Sequence, residues 1–412
     1  MPITLLPSPN IFLAPHGGAR ALLVEPPPSA VAERPLPHRT IRVLVVTARF
    51  YPDIGGTETH THEVTKRMAS HPDFDFTVLT TDRYGDRPVK EKLDAITILR
   101  CRAYPQNRDY YLAPDIYKHI LHGRYDLVHC QGVHTAVPII AMIAARMHRI
   151  PYLVTLHTGG HSSSLRGRLR TFHWRALGPL LRGAAAVVAV SRFEQRVFQK
   201  ACGIDAERFT IIPNGGDLLG SGESTEITPG LIVSSGRLEK YKGHHRAIDA
   251  LPIVRRTIPD ATLRILGSGP YEDHLRSRIK SLGLQDSVTI EYVASHDRTQ
   301  MAMALGRAAA VVALSEYEAH PVAVMEALTL GIPTVGLNTA GIGELAEAGL
   351  VQGVPRNASA ETIAQALIAA LGCRRAMVSA KLPTWDSAAL SLAALYRETI
   401  ATVPESLCSH GT

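Results

Sequence analysis

The 412-residue sequence predicts an α/β protein: two Rossmann-like domains, each a parallel sheet, with their strand ends facing a central cleft. Three observations predict this. From Ile41 onward, short β-branched runs alternate with longer amphipathic stretches. The runs are continuously apolar rather than alternating, as in a sheet covered by helices on both faces. The alternation breaks once, at the Gly- and Ser-rich "IIPNGGDLLGSGESTEITPG", and then begins again.

Taken in order, residues 1–38 hold nine prolines and no sustained periodicity, which predicts an extended or disordered arm. Residues 39–213 carry the runs "IRVLVVT", "DFTVLTT", "AITILR", "YDLVHC", "PYLVTLHT", "AAAVVAVS" and "FTIIPNG", the strands of a first domain. Residues 214–229 read as a flexible linker. Residues 230–386 repeat the pattern with "GLIVSSG", "ATLRILGSG", "SVTIEYV", "AAVVALS" and "IPTVGLN". Residues 387–412 are left for a last helix and a tail. At this length each half can bury its own core, and 45% hydrophobic with 20% charged residues is an ordinary globular balance.

No apolar run reaches the length of a membrane span, and the N-terminus lacks the charged and apolar regions of a signal peptide. Five scattered cysteines without ligand spacing suit reduced thiols and argue against a zinc site. These features predict a cytoplasmic protein. The net charge of +7 is partly local: from His157 to Phe193 there is no acidic residue, while Arg166, Arg168, Arg170, Arg175, Arg182 and Arg192 fall there. The ordinary reading is a solvated basic face. The sharper one is contact with an anionic acceptor, or with anionic lipid at the inner face of the membrane. No recognition motif accompanies the charge, so nucleic acid is not expected.

Four stretches carry chemistry. In "ARFYPDIGGTETHTHEV", Gly55 and Gly56 let the backbone approach a ligand, and Thr57 is the expected N-cap of the next helix. This is not G-x-G-x-x-G, so no dinucleotide site is inferred. "TLHTGG" puts His157 at a strand end, and "CQGVHTAVP" puts His134 in a similar place one strand earlier. "SSGRLEKYKGHH" brings Arg237 and Lys242 past the first strand of the second half, where a guanidinium and an ammonium suit a diphosphate. Finally, "SEYEAHPVAVMEALTLGIPTV" holds Glu318 and Glu326 eight positions apart. Pro321 suits the first position of a helix that Gly331 and Pro333 stop, and that helix start is an anion site. Carboxylates only accept hydrogen bonds, so Glu318 and Glu326 make sense reaching past a phosphate to hydroxyls on either side. The parts together describe a nucleotide-sugar: a diphosphate between two hydroxylated rings.

At these residues the sequence resembles the retaining glycosyltransferases of family 4, which have the GT-B fold. The resemblance runs from Ile41 to about Arg397 and rests on the ordered set "GGTETH", "TLHT", "VSRFEQRVF", "IIPNG", "SSGRLEKYKG", "ILGSGP" and the E-x7-E pair. It implies a UDP- or GDP-linked donor and no metal or other cofactor. Glu318 would contact donor-sugar hydroxyls, Glu326 the ribose, Arg237 and Lys242 the diphosphate, and Gly56 the phosphate or the acceptor. His157 would meet the sugar across the cleft, which places His157, Arg237, Lys242 and Glu318 at the chemistry. Gly55, His320, Pro321 and Val322 complete the donor-binding set. The resemblance also implies a final helix, about residues 387–402, crossing back onto the first domain. The sequence departs from the usual E-G-F-G at Glu318-Ala319-His320-Pro321, which bears on which sugar is bound. The acceptor is not legible. Two other readings share the architecture: a nucleotide-sugar 2-epimerase, whose acid/base set at C2 cannot be assembled here, and a non-catalytic nucleotide-sugar-binding subunit.

Overall fold

The computed structural model describes residues 40–402, without 54, 109, 159–163, 219–225, 294–296, 374 and 376–381, and without the side chains of 164–171. The proline-rich segment 1–38 and the tail from 403 lie outside the described residues, as does the middle of the 214–229 linker.

The first half contains β1 (Ile41–Thr47), α1 (Gly56–Ala69), β2 (Phe74–Asp82), β3 (Lys90–Leu93), β4 (Ile96–Arg102), α2 (Asp115–His122), β5 (Leu127–Gln131) and α3 (Ala136–Met147). It continues through β6 (Tyr152–Thr155), α4 (Ser164–Arg182), β7 (Ala186–Ala189), α5 (Arg192–Cys202) and β8 (Phe209–Ile211). These strands form one sheet in the order β3-β4-β2-β1-β5-β6-β7-β8. Every pairing is parallel except β3 with β4. The sheet is therefore not purely parallel, and "KEKL" at β3, with no apolar run, forms only because the β4 edge offers it a ladder.

The second half contains β9 (Leu231–Ser235), α6 (His244–Thr257), β10 (Thr262–Leu266), α7 (Glu272–Ser281), β11 (Val288–Glu291), α8 (Arg298–Gly306) and β12 (Ala310–Ala313). After these come α9 (Val322–Thr329), β13 (Thr334–Leu337), α10 (Ala340–Glu347), β14 (Gln352–Val354) and α11 (Ala360–Leu371). Its strands, all parallel, run β11-β10-β9-β12-β13-β14.

The last helix, α12 (Trp385–Ala401), belongs by packing to the first half. Its Trp385, Ala388, Leu392 and Tyr396 are buried against Val43, Val45, Phe74, Phe76 and Val188. The start of the linker is packed rather than loose. Asn214, Gly215, Gly216 and Leu218 are buried, and Asp217 Oδ1 accepts from the Trp385 amide at 2.6 Å. A Cβ at Gly216 would fall 2.5 Å from the Met325 carbonyl, so only glycine lets the linker pass this close to α9.

Of the basic segment, the side chains of Arg166, Arg168 and Arg170 lie outside the described residues. Arg175 is exposed, and Arg182 donates to the Cys202 carbonyl at 2.7 Å, tying α4 to α5. Among the described residues no helix is long and apolar enough to cross a membrane.

Candidate active site

In each sheet the chain builds outward in one direction and then returns to the other side of its first strand. The switch points lie between β1 and β5 in the first sheet and between β9 and β12 in the second. Open α/β sheets bind ligands outside the strand carboxyl ends at such points. The loops there are those that follow β1, β5, β9 and β12, and the residues singled out in the sequence sit on them or, for His157, on the loop after β6.

On the second-domain side, Gly243 takes φ 75° between Lys242 and α6, tight against the Leu314 carbonyl, and this turn directs Lys242 over the switch point. Lys242 Nζ donates to Glu318 Oε1, and both side chains are largely buried. Burial opposes the ammonium, but the Glu318 carboxylate outweighs it and holds Lys242 above its ordinary pKa. Arg237, nearly half exposed, pairs with Glu239 at 3.1 Å. The two cations lie near each other, each with its own carboxylate. Glu318 thus answers a charge of its own domain.

The helix start differs from the expectation by one residue. Pro321, with φ −74° and ψ 113°, is the N-cap of α9, and Val322 is the first helical residue. The first intrahelical bond runs from Val324 N to Pro321 O, so the Val322 and Ala323 amides lie ahead of it. Glu326 is inside this helix, its side chain only 3% exposed. It does not stand alone: Arg298, the first residue of α8, donates to Glu326 Oε1. Arg298 Nε also lies 3.8 Å from Oε1 of Glu63 on α1 of the first domain. Burial raises the Glu326 pKa, with Arg298 opposing. Arg298 and Glu63 had no signature in the sequence. They lie 235 positions apart; Glu63 falls in the "GGTETHTHEV" stretch but nothing there marks it, and Arg298 falls in no Gly-rich or strand-end motif.

On the first-domain side, Gly55, extended at φ 175°, is the N-cap of α1, and the helix begins at Gly56. Thr57 is therefore inside the helix, not its cap. The Glu58 carboxylate folds back over Gly55 and accepts from its own amide, taking the capping role. Gly56 faces the other domain: a Cβ there would sit 3.9 Å from Val322 Cγ2.

His157 lies two residues beyond β6 with φ 47°, in the left-handed region where a non-glycine residue marks a special position. Its Nε2 meets Gln131 Oε1 at 2.7 Å. Burial, then His60, His129 and His134, hold its pKa well below the ordinary histidine value, so it is neutral. His60 packs edge-on to it with centroids 4.5 Å apart, and His60 Nδ1 meets Asn214 Oδ1 at 2.9 Å. Asn214 Nδ2 donates to the His320 carbonyl at 2.8 Å, so one asparagine joins the first domain to the Glu318–Pro321 turn. Burial lowers both His60 and His320 to about 4. Three buried ring nitrogens, Nε2 of His60 and both of His320, have no partner among the described residues, and neither does the Tyr51 hydroxyl.

The two lobes touch across the cleft. Tyr317 Oη donates to Thr158 Oγ1 at 3.4 Å, Phe193 packs on Tyr317 edge-on, and Arg196 pairs with Glu344 at 2.7 Å. The predicted residues are thus brought to one cleft with a Lys–Glu pair over a helix start, two buried glutamates and a neutral histidine opposite. That set can hold an anion and accept hydrogen bonds beside it. Among the described residues no group of three or more His, Cys, Asp or Glu is arranged to hold a metal ion.

Comparison with known proteins agrees with this geometry. The model of "Glycosyltransferase Family 4" matches residues 54–218, and that of "Glycosyl transferases group 1" matches residues 223–381. A GDP-mannose:cellobiosyl-diphosphopolyprenol alpha-mannosyltransferase of Komagataeibacter xylinus is 26% identical over 380 residues, covering 88% of this chain and 94% of that protein. A glycogen synthase of Mycobacterium tuberculosis is 31% identical over 227 residues, 54% of each chain, so here the match spans about half the relative's length. In structure, a sucrose-phosphate synthase from Thermosynechococcus elongatus superposes with a TM-score of 0.69 at 18% identity, over 88% of this chain and 100% of that one. Anabaena HepE, solved with UDP and glucose, gives 0.62 at 21% identity over 90% and 100%. With its two halves matched in order by the two glycosyltransferase models and its two sheets in the GT-B arrangement, the chain belongs to the family-4 type of glycosyltransferases.

Proposed function

We propose that this protein moves a sugar from a UDP- or GDP-linked donor to a hydroxyl acceptor with retention of anomeric configuration, in glycan, glycolipid or secondary-metabolite biosynthesis. One observation carries the reading: Lys242 from the β9 loop and Glu318 from the β12 loop meet beside the switch point, Glu318 three residues ahead of Pro321 at the start of α9. A diphosphate at that place is held by Lys242, Arg237 and the amides of Val322 and Ala323. As the sugar–phosphate bond breaks, positive charge grows on the sugar and negative charge on the departing diphosphate. Preformed donors aimed at that oxygen lower the barrier, each by on the order of 3 kcal/mol. Glu318 accepts from the sugar hydroxyls and Glu326 from the ribose. His157, neutral and with its Nε2–H given to Gln131 Oε1, accepts a hydrogen bond from a sugar hydroxyl at Nδ1 from the facing domain. Attack comes from the face the diphosphate leaves, the departing phosphate assisting, and closure of the lobes excludes water that would hydrolyse the donor. No metal enters this scheme.

Two relatives suggest where to begin: the K. xylinus protein is named for a GDP-mannose donor and a diphosphopolyprenol-linked acceptor, and the HepE complex holds UDP and glucose. The test is to incubate the protein with UDP- and GDP-linked sugars and lipid-diphosphate-linked acceptors. Nucleotide release and product anomeric configuration are then followed by NMR. An acceptor-dependent product with the donor's configuration supports the proposal. An inverted product removes the retaining mechanism. Complete conversion of donor without acceptor gives the epimerase instead.

A further inference from the structure

Glu326 meets the first domain through a chain of charges. Arg298 lies between two buried carboxylates, Glu326 of its own domain and Glu63 of the other, and its side chain is only 11% exposed. Glu63 Oε2 also takes Arg67 Nη1 at 2.5 Å. Arg67 reaches Asp217 of the linker at 3.1 Å and Asp386 of α12 at 2.6 Å. Both connections between the lobes, the linker and the returning helix, are thus tied to the carboxylate that shares Arg298 with Glu326. The Tyr51 hydroxyl beside this cluster is buried with no partner among the described residues; burial first, then Glu63, pushes its pKa up to about 12.

A structural ion pair needs one partner of opposite charge, and burying a cation with two acids is costly unless the extra oxygens are used. Arg298 engages Oε1 of Glu326, which leaves Oε2 for a hydroxyl donor. Resting on the donor reading above, we propose that Arg298 is a positioning residue for the nucleotide end of the donor. It fixes the Glu326 carboxylate for a ribose diol and, through Glu63, couples occupancy of that site to closure of the two domains. Without Arg298, burial and then the Glu63 carboxylate act unopposed on Glu326 and favour its protonated form, a poorer acceptor for two hydroxyls. Without Glu63, Arg298 still orients Glu326 but no longer reaches the first domain.

The experiment titrates the full chain calorimetrically with UDP, GDP and their 2′,3′-dideoxy counterparts, and measures small-angle scattering with and without the tighter ribonucleotide. The wild-type protein is expected to bind one ribonucleotide at least about tenfold more tightly than its dideoxy analogue, and to compact on binding. Arg298→Met brings that ratio close to one, and Arg298→Lys restores part of it. Glu63→Gln keeps the ratio but loses the compaction. If Arg298→Met does not fold, Arg298→Lys and Glu63→Gln carry the test on the same two readouts. A wild-type ratio preserved in Arg298→Met, or in Arg298→Lys where only that variant folds, overturns the positioning role. Unchanged compaction in Glu63→Gln overturns the coupling. Failure of the wild-type protein to bind either ribonucleotide overturns the donor reading itself, and this inference with it.

Discussion

Lys242 and Glu318 illustrate how one residue can serve folding and chemistry together. Removing one partner of a buried pair strands the other charge, at a cost of about 3–5 kcal/mol in fully buried cases. Lys242→Ala is therefore expected to lower both the melting temperature and, by about a hundredfold, the turnover. The double variant Lys242→Met/Glu318→Gln separates the two effects: thermal denaturation should recover while turnover stays low. Recovery of both would make Lys242 structural only. The histidines give a second prediction. His60, His244 and His320 are held by burial near 4 in the folded chain, against 6.5 for a free imidazole. The folded state then binds fewer protons than the unfolded one, so stability is complete above pH 6.5 and falls as the pH drops toward 4. Each such imidazole contributes ~3 kcal/mol to that loss by pH 4. His320 also buries two nitrogens with no partner among the described residues, so His320→Phe should flatten the loss and leave the neutral-pH midpoint unchanged or higher. Urea midpoints between pH 4 and 7 measure this. An unchanged slope in the variant would show that His320 is not a contributor.

At the scale of elements, α12 decides whether the first domain has a complete core. Leu392 is fully buried between that helix and the first sheet. Leu392→Ala should cost about 2–5 kcal/mol through lost contacts and the cavity left behind. A loss below 1 kcal/mol in denaturant unfolding would mean α12 is only loosely docked. Elements were legible where burial on both faces forces apolar runs: β1, β2, β9 and β10 announce themselves. Others were not. "KEKL" of β3 shows no apolar run because an edge strand needs only a neighbour's ladder, and β14 is too short to show a period. The helix starts at α1 and α9 were misplaced by one or two residues. A Glu58 carboxylate reaching back, or a proline serving as N-cap, leaves almost the same local pattern as the expected caps. Lys242, Glu318 and His157 were legible because each follows a strand of its own sheet. Arg298 was not, since its meaning comes from Glu63 in the other domain.

For the whole molecule, the contacts that join the lobes around the cleft include polar ones at its edge, Arg196–Glu344 and Tyr317–Thr158. Such contacts suit an equilibrium that a ligand can shift, because exposed or half-exposed pairs are worth little against water. Arg196→Ala, which removes the ion pair with Glu344 of the other lobe, should raise KM for the donor more than it lowers kcat. The reverse pattern would argue that closure is not part of donor capture. The most direct test of the account is a crystal structure of the protein soaked with UDP or GDP, whichever binds. The account predicts phosphate oxygens within hydrogen-bonding distance of Lys242 Nζ and the Val322 amide, with ribose hydroxyls on Glu326. A nucleotide bound with its phosphates turned away from the start of α9, or its ribose away from Glu326, would contradict it.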